Sequence, residues 1–201
     1  MRKISSSQRG FTILETMVAI TLLITAMVAP MTIAARGLQS AFYAREHLTA
    51  VYLAQEAMEI MRMHRDNYAL SHQGSSADDW YSSYFVGLGN RGSACAGAAG
   101  CDVDSRDMST FIDCTSPLSC RLQYDGDALV GDAVSRGMYT HEITAIGSNS
   151  LFTRVVRLAP VAGTNNNEIA VTVQVSWQAN VFSGMKTVTL RSTLFNHYNA
   201  Y

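Results

Sequence analysis

The sequence predicts an α+β protein in which a long N-terminal helix, first apolar and then amphipathic, packs on a C-terminal antiparallel β-sheet. Three observations indicate this class. Residues 11–35 form an apolar run, residues 36–67 repeat apolar side chains at helical spacing, and the last third alternates apolar and polar residues between turns. In a chain of 201 residues, the part beyond the helix is long enough for one modest core, so we expect a single globular domain on a long stalk.

The apolar run of residues 11–35 contains a single charged residue, Glu15, and comes after a leader, residues 1–10, that ends at Gly10. As a helix these 25 residues would be about 37 Å long, and a bilayer core is about 30 Å thick. A carboxylate inside such a segment costs free energy unless a partner compensates it. Glu15 is therefore a candidate functional residue.

The residues Gly10-Phe11-Thr12, with Glu15 and the apolar helix behind them, resemble the N-terminus of type IV pilins and type II secretion pseudopilins. The resemblance implies a type IV pilin fold and a structural subunit of a pilus or pseudopilus. It implies that a prepilin peptidase cuts after Gly10 and methylates the new N-terminus, Phe11. It also implies that Glu15 pairs with the N-terminal amine of a neighbouring subunit. The partners would be other pilin subunits, the prepilin peptidase and methylase, the inner membrane and the pilus assembly platform.

The leader contains the basic residues Arg2, Lys3 and Arg9 and no acidic residue. By the positive-inside rule this end stays in the cytoplasm and the rest of the chain crosses the inner membrane. One alternative is a secretory signal cut near Ala34-Ala35. Another is a single-pass membrane protein that does not assemble.

The helix is predicted to continue beyond the membrane as the amphipathic segment 36–67. Pro30 removes one helical hydrogen bond, so we expect a break or bend there. The residues expected on the buried stripe are Leu48, Val51, Leu53, Ala54, Ala57, Met58, Ile60 and Met61.

Residues 68–137 are polar and are predicted to form a variable loop region that contains all four cysteines. Behind an export signal, an even number of clustered cysteines favours disulfides. The two C-x5-C spacings weakly favour the local pairs Cys95–Cys101 and Cys114–Cys120, with the other connectivities left open, and are too long for a typical zinc knuckle. Calcium binding near Asp125 and Asp127 is a further alternative, although no metal site is predicted.

Residues 138–201 are predicted to form the antiparallel sheet, with strands at 138–146, 151–158, 169–177 and 187–195. In the third of these, Ile169, Val171, Val173, Val175 and Trp177 share one face, which we expect to pack on the helix. The opposite face, with Thr172, Gln174 and Ser176, is expected to face solvent.

The sequence contains no recognisable catalytic motif and its five histidines are scattered, so we expect neither an enzyme nor a cofactor. Without the three basic residues of the leader, 12 basic and 16 acidic residues remain, a net charge of −4, which argues against nucleic acid as the main ligand. The long cysteine-bearing insertion favours a minor subunit. It also leaves the alternative of a filament-tip module for adhesion, secreted substrate or DNA uptake.

Overall fold

The computed structural model describes residue 10 and residues 12–71, 92–104, 111–116, 119–124, 138–141, 148–164, 167–179 and 184–196. The chain divides into two compact units, residues 1–45 and residues 46–201. The helix α1 (Ile13–Ser71) provides the described helical part of the first unit and continues into the second. The predicted α+β class, with a long apolar helix followed by an antiparallel sheet, is confirmed.

Helix α1 begins at an N-cap that its sequence specifies. The hydroxyl of Thr12 accepts a hydrogen bond from the backbone N–H of Glu15 at 3.3 Å, and the carbonyl of Thr12 accepts one from Thr16 at 3.2 Å. Threonine three residues before glutamate is a common helix-starting pattern, because the two residues can satisfy backbone N–H groups that lack helical partners.

The helix passes through Pro30, so this proline does not end α1. A proline removes one backbone N–H, but the hydrogen bonds on either side of it can hold the helix together. Threonines on both sides return their hydroxyls to the backbone, Thr25 to Thr21 and Leu22 and Thr32 to Ala29, at 2.8–3.0 Å. The helix is therefore not broken at Pro30, and the predicted bend stays a prediction.

Seven strands form one antiparallel sheet in the described part of the chain. They are β1 (Cys101–Val103), β2 (Phe111–Asp113), β3 (Arg121–Tyr124), β4 (Tyr139–Thr140), β5 (Ser148–Pro160), β6 (Glu168–Trp177) and β7 (Lys186–Phe195). The central strand β5 pairs with β6 along one edge, and with β1 and β3 along the other. β7 pairs with β6, β2 with β1 and β4 with β3.

The sheet begins earlier in the sequence than the predicted boundary at residue 138. The segment 68–137, predicted as a loop region, contains the short helix α2 (Gly92–Ala96) and the strands β1, β2 and β3. These strands have only three or four residues each, too few to show an alternating pattern. In the predicted strand 138–146, the structure shows only the two residues of β4, and residues 142–147 lie outside the described part.

The core of the second unit lies between α1 and the inner face of the sheet. The buried residues of α1 are Ala50, Leu53, Ala54, Ala57, Met58, Ile60 and Met61. The five predicted inward residues of β6 are all buried. Leu48, predicted on the same stripe, is 57% exposed, which corrects that prediction. It precedes Ala50 by two positions, about 200° around the helix, and therefore points away from the sheet.

Gly100, just before β1, makes a close approach that no other residue could make. Its φ is +78°, and a Cβ there would lie 2.7 Å from both Val155 Cγ1 and the carbonyl oxygen of Val156. We expect Gly100→Ala to lower the free energy of unfolding by about 2–4 kcal/mol, because it combines backbone strain with a clash against a strand. Equilibrium unfolding of the disulfide-intact protein, followed by tryptophan fluorescence, measures this loss.

Gly163 supplies the matched control, because its φ is +86° but a Cβ there would meet nothing within 4 Å. Gly163→Ala should therefore show the backbone strain alone, about 1 kcal/mol. Equal losses in the two variants would show that the contact of Gly100 with β5 is unimportant.

Candidate functional site

The predicted processing and assembly residues cluster at the start of α1. Gly10 is exposed and precedes the N-cap residue Thr12 by two positions, and Phe11 lies outside the described residues. Glu15 lies in the first turn of the helix, where its charge is favourable for the helix dipole, and is exposed. Gly10 thus precedes the helix and Glu15 lies within its first turn, five residues later in the sequence.

The first part of α1 exposes large apolar side chains all round. Ile13, Leu14 and Met31 are 75–82% exposed, and the most apolar 18-residue window, with a mean hydropathy of 2.2, has no buried residue. By length and composition, α1 is the one helix in the described part of the chain that could cross a membrane, a criterion that a signal sequence would also meet. Such a surface is stable only in a bilayer or among other apolar helices.

The two disulfides join Cys95 to Cys101 and Cys114 to Cys120, with Cα–Cα distances of 4.5 and 5.3 Å. These are the two short local loops that the spacing favoured. The first links α2 to the start of β1, and the second links the end of β2 to the start of β3. Cys95 and Cys101 are buried in the core of the second unit, whereas in the second pair Cys120 is buried and Cys114 is half-buried.

A second cluster, which sequence analysis missed, surrounds the guanidinium of Arg154, whose side chain is fully buried. Nε donates to Asp102 Oδ1 at 2.7 Å, and Nη1 donates to Glu56 Oε2 at 2.7 Å and to the carbonyl of Leu53 at 3.2 Å. Nη2 donates to the carbonyl of Val103. We call this group, Arg154 with Asp102 and Glu56, the arginine joint, because it ties α1 to β1 and β5.

His141 contacts the arginine joint through Asp102. Its Nε2 contacts Asp102 Oδ2, and its backbone N–H donates to Asp104 Oδ2 at 3.4 Å. The side chain of His141 is only 3% exposed, and the residue as a whole is half-buried. Both carboxylate oxygens of Asp102 are thus occupied.

The environment of Arg154 fixes its charge. Burial, the largest single effect, acts to lower the pKa of Arg154. The attraction of Asp102 and Glu56 and their hydrogen bonds outweigh it and raise the pKa above its usual value. The stabilisation from a raised pKa is present below the unfolded-state value and is lost only as the pH passes the folded value. Both values lie above the range in which proteins are handled, so Arg154 stays charged throughout.

One signal in the sequence could have revealed this joint. Arg154 shares the buried face of β5 with Phe152, Val156 and Leu158, because the four residues are spaced by two along the strand. An arginine on the same strand face as apolar residues predicts a buried ion pair. Its partner Asp102 could not be found in the same way, because β1 is too short to show a pattern and all three of its residues are buried.

The chain was compared with family models, curated proteins and solved structures. Residues 5–29 match the family model described as the prokaryotic N-terminal methylation motif, which covers Gly10, Phe11 and Glu15. Neither curated proteins nor solved structures gave a significant match. The chain therefore carries the N-terminal methylation motif that is typical of type IV pilin and pseudopilin precursors, on an α+β fold consistent with the pilin fold.

Proposed function

We propose that the protein is a structural subunit, of the minor kind, of a type IV pilus or a related pseudopilus. The observation that carries the proposal is the first part of α1, which exposes apolar side chains on every side and contains one carboxylate, Glu15, in its first turn. A helix of this kind can lie in the membrane as an anchor and later exchange lipid for the helices of other subunits, because both surroundings are apolar.

The position of Gly10 suits proteolytic processing. A peptidase needs an exposed, non-helical segment, and Gly10 is exposed and precedes both the N-cap and the helix. Cleavage after Gly10 gives a chain that begins with Phe11, whose amino group is then methylated. The positively charged leader keeps the cleavage site on the cytoplasmic side, and the sheet with its disulfides lies on the oxidising side of the inner membrane.

Glu15 sets the register between subunits. In the apolar surroundings of a filament, a lone carboxylate and a lone ammonium group are each costly, and one arrangement of neighbouring helices pairs them. Glu15 therefore favours the position in which it meets the amine of the next subunit. The role proposed for the chain is structural and includes no catalytic step.

The structure gives less support to the alternative of a filament-tip binding module formed by the cysteine-bearing region. β1 and β2 lie within residues 90–121 and belong to the sheet, and Asp102 of the same segment belongs to the arginine joint. Deleting these residues would therefore remove part of the core, so loss of adhesion in such a deletion would not identify a binding function.

Mass spectrometry of the N-terminus of the protein purified from its own cells tests the proposal. We expect the chain to begin at Phe11 and to carry one methyl group on the α-amine. In a Gly10→Val variant, whose β-branched side chain is bulkier next to the cleaved bond, we expect the chain to begin at Met1 and to stay out of filaments.

Two results would contradict this reading. An unprocessed native chain that begins at Met1 would leave a single-pass membrane protein that does not assemble. A native chain that begins just after Ala35 would identify the apolar segment as a cleaved secretory signal.

A further inference from the structure

The outer face of the sheet, opposite α1, has an unusual composition in its strands β5, β6 and β7. The strand register places Arg157, Thr172 and Arg191 side by side in one row across the three strands. The next row toward Trp177 holds Val155, Gln174 and Thr189, and the row after it holds Thr153, Ser176 and Thr187, with Arg121 of β3 beside Thr153. We call these three rows the arginine–threonine face.

The three arginines of this face form no ion pair with any carboxylate in the described part of the chain. Arg157 donates to the carbonyl of Ala98 at 3.1 Å and to Gln174 Oε1 at 3.2 Å, and Arg121 donates to the carbonyl of Ser150 at 2.8 Å. Arg191 is exposed. In contrast, Arg62, Arg65 and Arg154 each pair with a carboxylate.

The guanidinium groups of Arg121 and Arg157 are therefore held in place by uncharged oxygen acceptors. Two of the three guanidinium groups are fixed by carbonyl or amide oxygens that leave their charge uncompensated, and each retains N–H donors for another ligand. The chain without its leader has a net charge of −4, so this face, whose three arginines pair with no carboxylate among the described residues, differs in charge from the protein as a whole. The acidic residue nearest to it in these strands, Glu168, lies two rows beyond Thr172 at the far end of β6.

We propose that the arginine–threonine face binds an anionic polysaccharide. Guanidinium groups bind carboxylate or sulfate groups in a bidentate manner, and the hydroxyl and amide side chains between them can exchange hydrogen bonds with sugar hydroxyls. Adjacent strands are about 4.8 Å apart, so the backbones of Arg157 and Arg191 lie about 10 Å apart, and their side chains can reach separate acidic groups of one polymer.

Other partners fit this face less well. Nucleic acid bound as single strands uses aromatic side chains for stacking, and the three rows contain none; Phe195 lies beyond them, opposite Glu168. Stable protein interfaces have an apolar centre. The one apolar side chain in the rows, Val155, is half-buried and lies beside Gly100. The inner face is already occupied by α1.

Binding of polygalacturonate and of heparin to the full-length protein in detergent tests the proposal by providing a carboxylated and a sulfated probe. The double variant Arg157→Gln/Arg191→Gln should bind both roughly tenfold more weakly than the unaltered protein, because it removes two charge-assisted contacts. The double variant Arg62→Gln/Arg65→Gln removes the same charge from α1 and should keep its affinity within about twofold, since these arginines lie outside the face and are already paired.

A DNA duplex of equal length and charge serves as the competing probe. Tighter binding of the duplex than of both polysaccharides would overturn the proposal, as would equal losses in the two double variants or an absence of polysaccharide binding at low salt. The single variant Arg191→Gln breaks no hydrogen bond in the described part of the chain, so it serves as a control for misfolding. It should show part of the loss of polysaccharide affinity. Because binding is measured on unassembled protein, its failure is distinct from a failure to form filaments.

Discussion

Replacing Arg154 by methionine should lower the free energy of unfolding by about 3–5 kcal/mol, a large share of the total stability of a domain this size. Methionine fills much of the same volume, so the loss comes from charge rather than from a cavity. Asp102, whose side chain is fully buried, would keep its carboxylate without the guanidinium that compensates it. The carbonyls of Leu53 and Val103 would lose donors as well. Equilibrium unfolding in guanidinium chloride with the disulfides intact, followed by tryptophan fluorescence, measures this loss of stability.

Two further variants show which part of the arginine joint matters. Asp102→Asn in the Arg154→Met background should recover part of the loss, because it removes the uncompensated buried charge. Arg157→Met, three residues along the same strand but on the outer face, should change stability by less than about 1 kcal/mol. The charge-based explanation would be wrong if Arg157→Met lowered the free energy of unfolding as much as Arg154→Met, or if Asp102→Asn lowered it further in the Arg154→Met background.

Glu15→Ala should leave membrane insertion and processing intact and reduce incorporation into filaments by roughly a hundredfold or more. The cost of removing one member of a buried ion pair is about 3–5 kcal/mol, and every 1.4 kcal/mol is a factor of ten. The N-cap should survive the substitution, because the hydroxyl of Thr12 bonds to the backbone N–H of residue 15 and not to its side chain. Quantitative immunoblots of sheared filaments against membrane fractions give the ratio.

The matched control is Glu59→Gln, which removes one glutamate charge from the exposed side of the same helix, where Glu59 pairs with Arg62. It should assemble normally, since exposed pairs contribute little. Glu15→Gln should behave like Glu15→Ala if charge is what matters. Normal incorporation of Glu15→Ala would disprove the proposed role of the carboxylate.

The sequence was sufficient for the features that depend on repetition or on local motifs. The apolar run, the stripe of Ala54, Met58 and Met61, and the alternation in β6 each repeat over several residues, so chance patterns are averaged out.

Features built from single residues far apart in the chain could not be predicted. Arg154 contacts Asp102, 52 positions away, and Glu56, 98 positions away, and neither separation can be derived from any local rule. The strands β1 and β3 pair with β5, β2 pairs with β1, and two disulfides link their ends, so these strands depend on distant contacts rather than on their own propensity. Leu48 was misplaced because it continues the helical spacing of Val51 and Ala54 but lies about 200° around the helix from the buried Ala50.

The N-cap at Thr12 has a consequence for the energetics of assembly. Cleavage after Gly10 would place a positively charged amine two positions before Ile13, at the end of α1 where the unpaired backbone N–H groups are themselves partly positive. A cation at this end of a helix is disfavoured, by about 0.3–1 kcal/mol in water and by more in apolar surroundings. The processed but solitary subunit would therefore hold a mismatch of charge that a carboxylate from elsewhere can relieve. Addition of the subunit to the end of a filament would then be favoured by the pairing of this amine with a carboxylate as well as by contact between apolar helix surfaces.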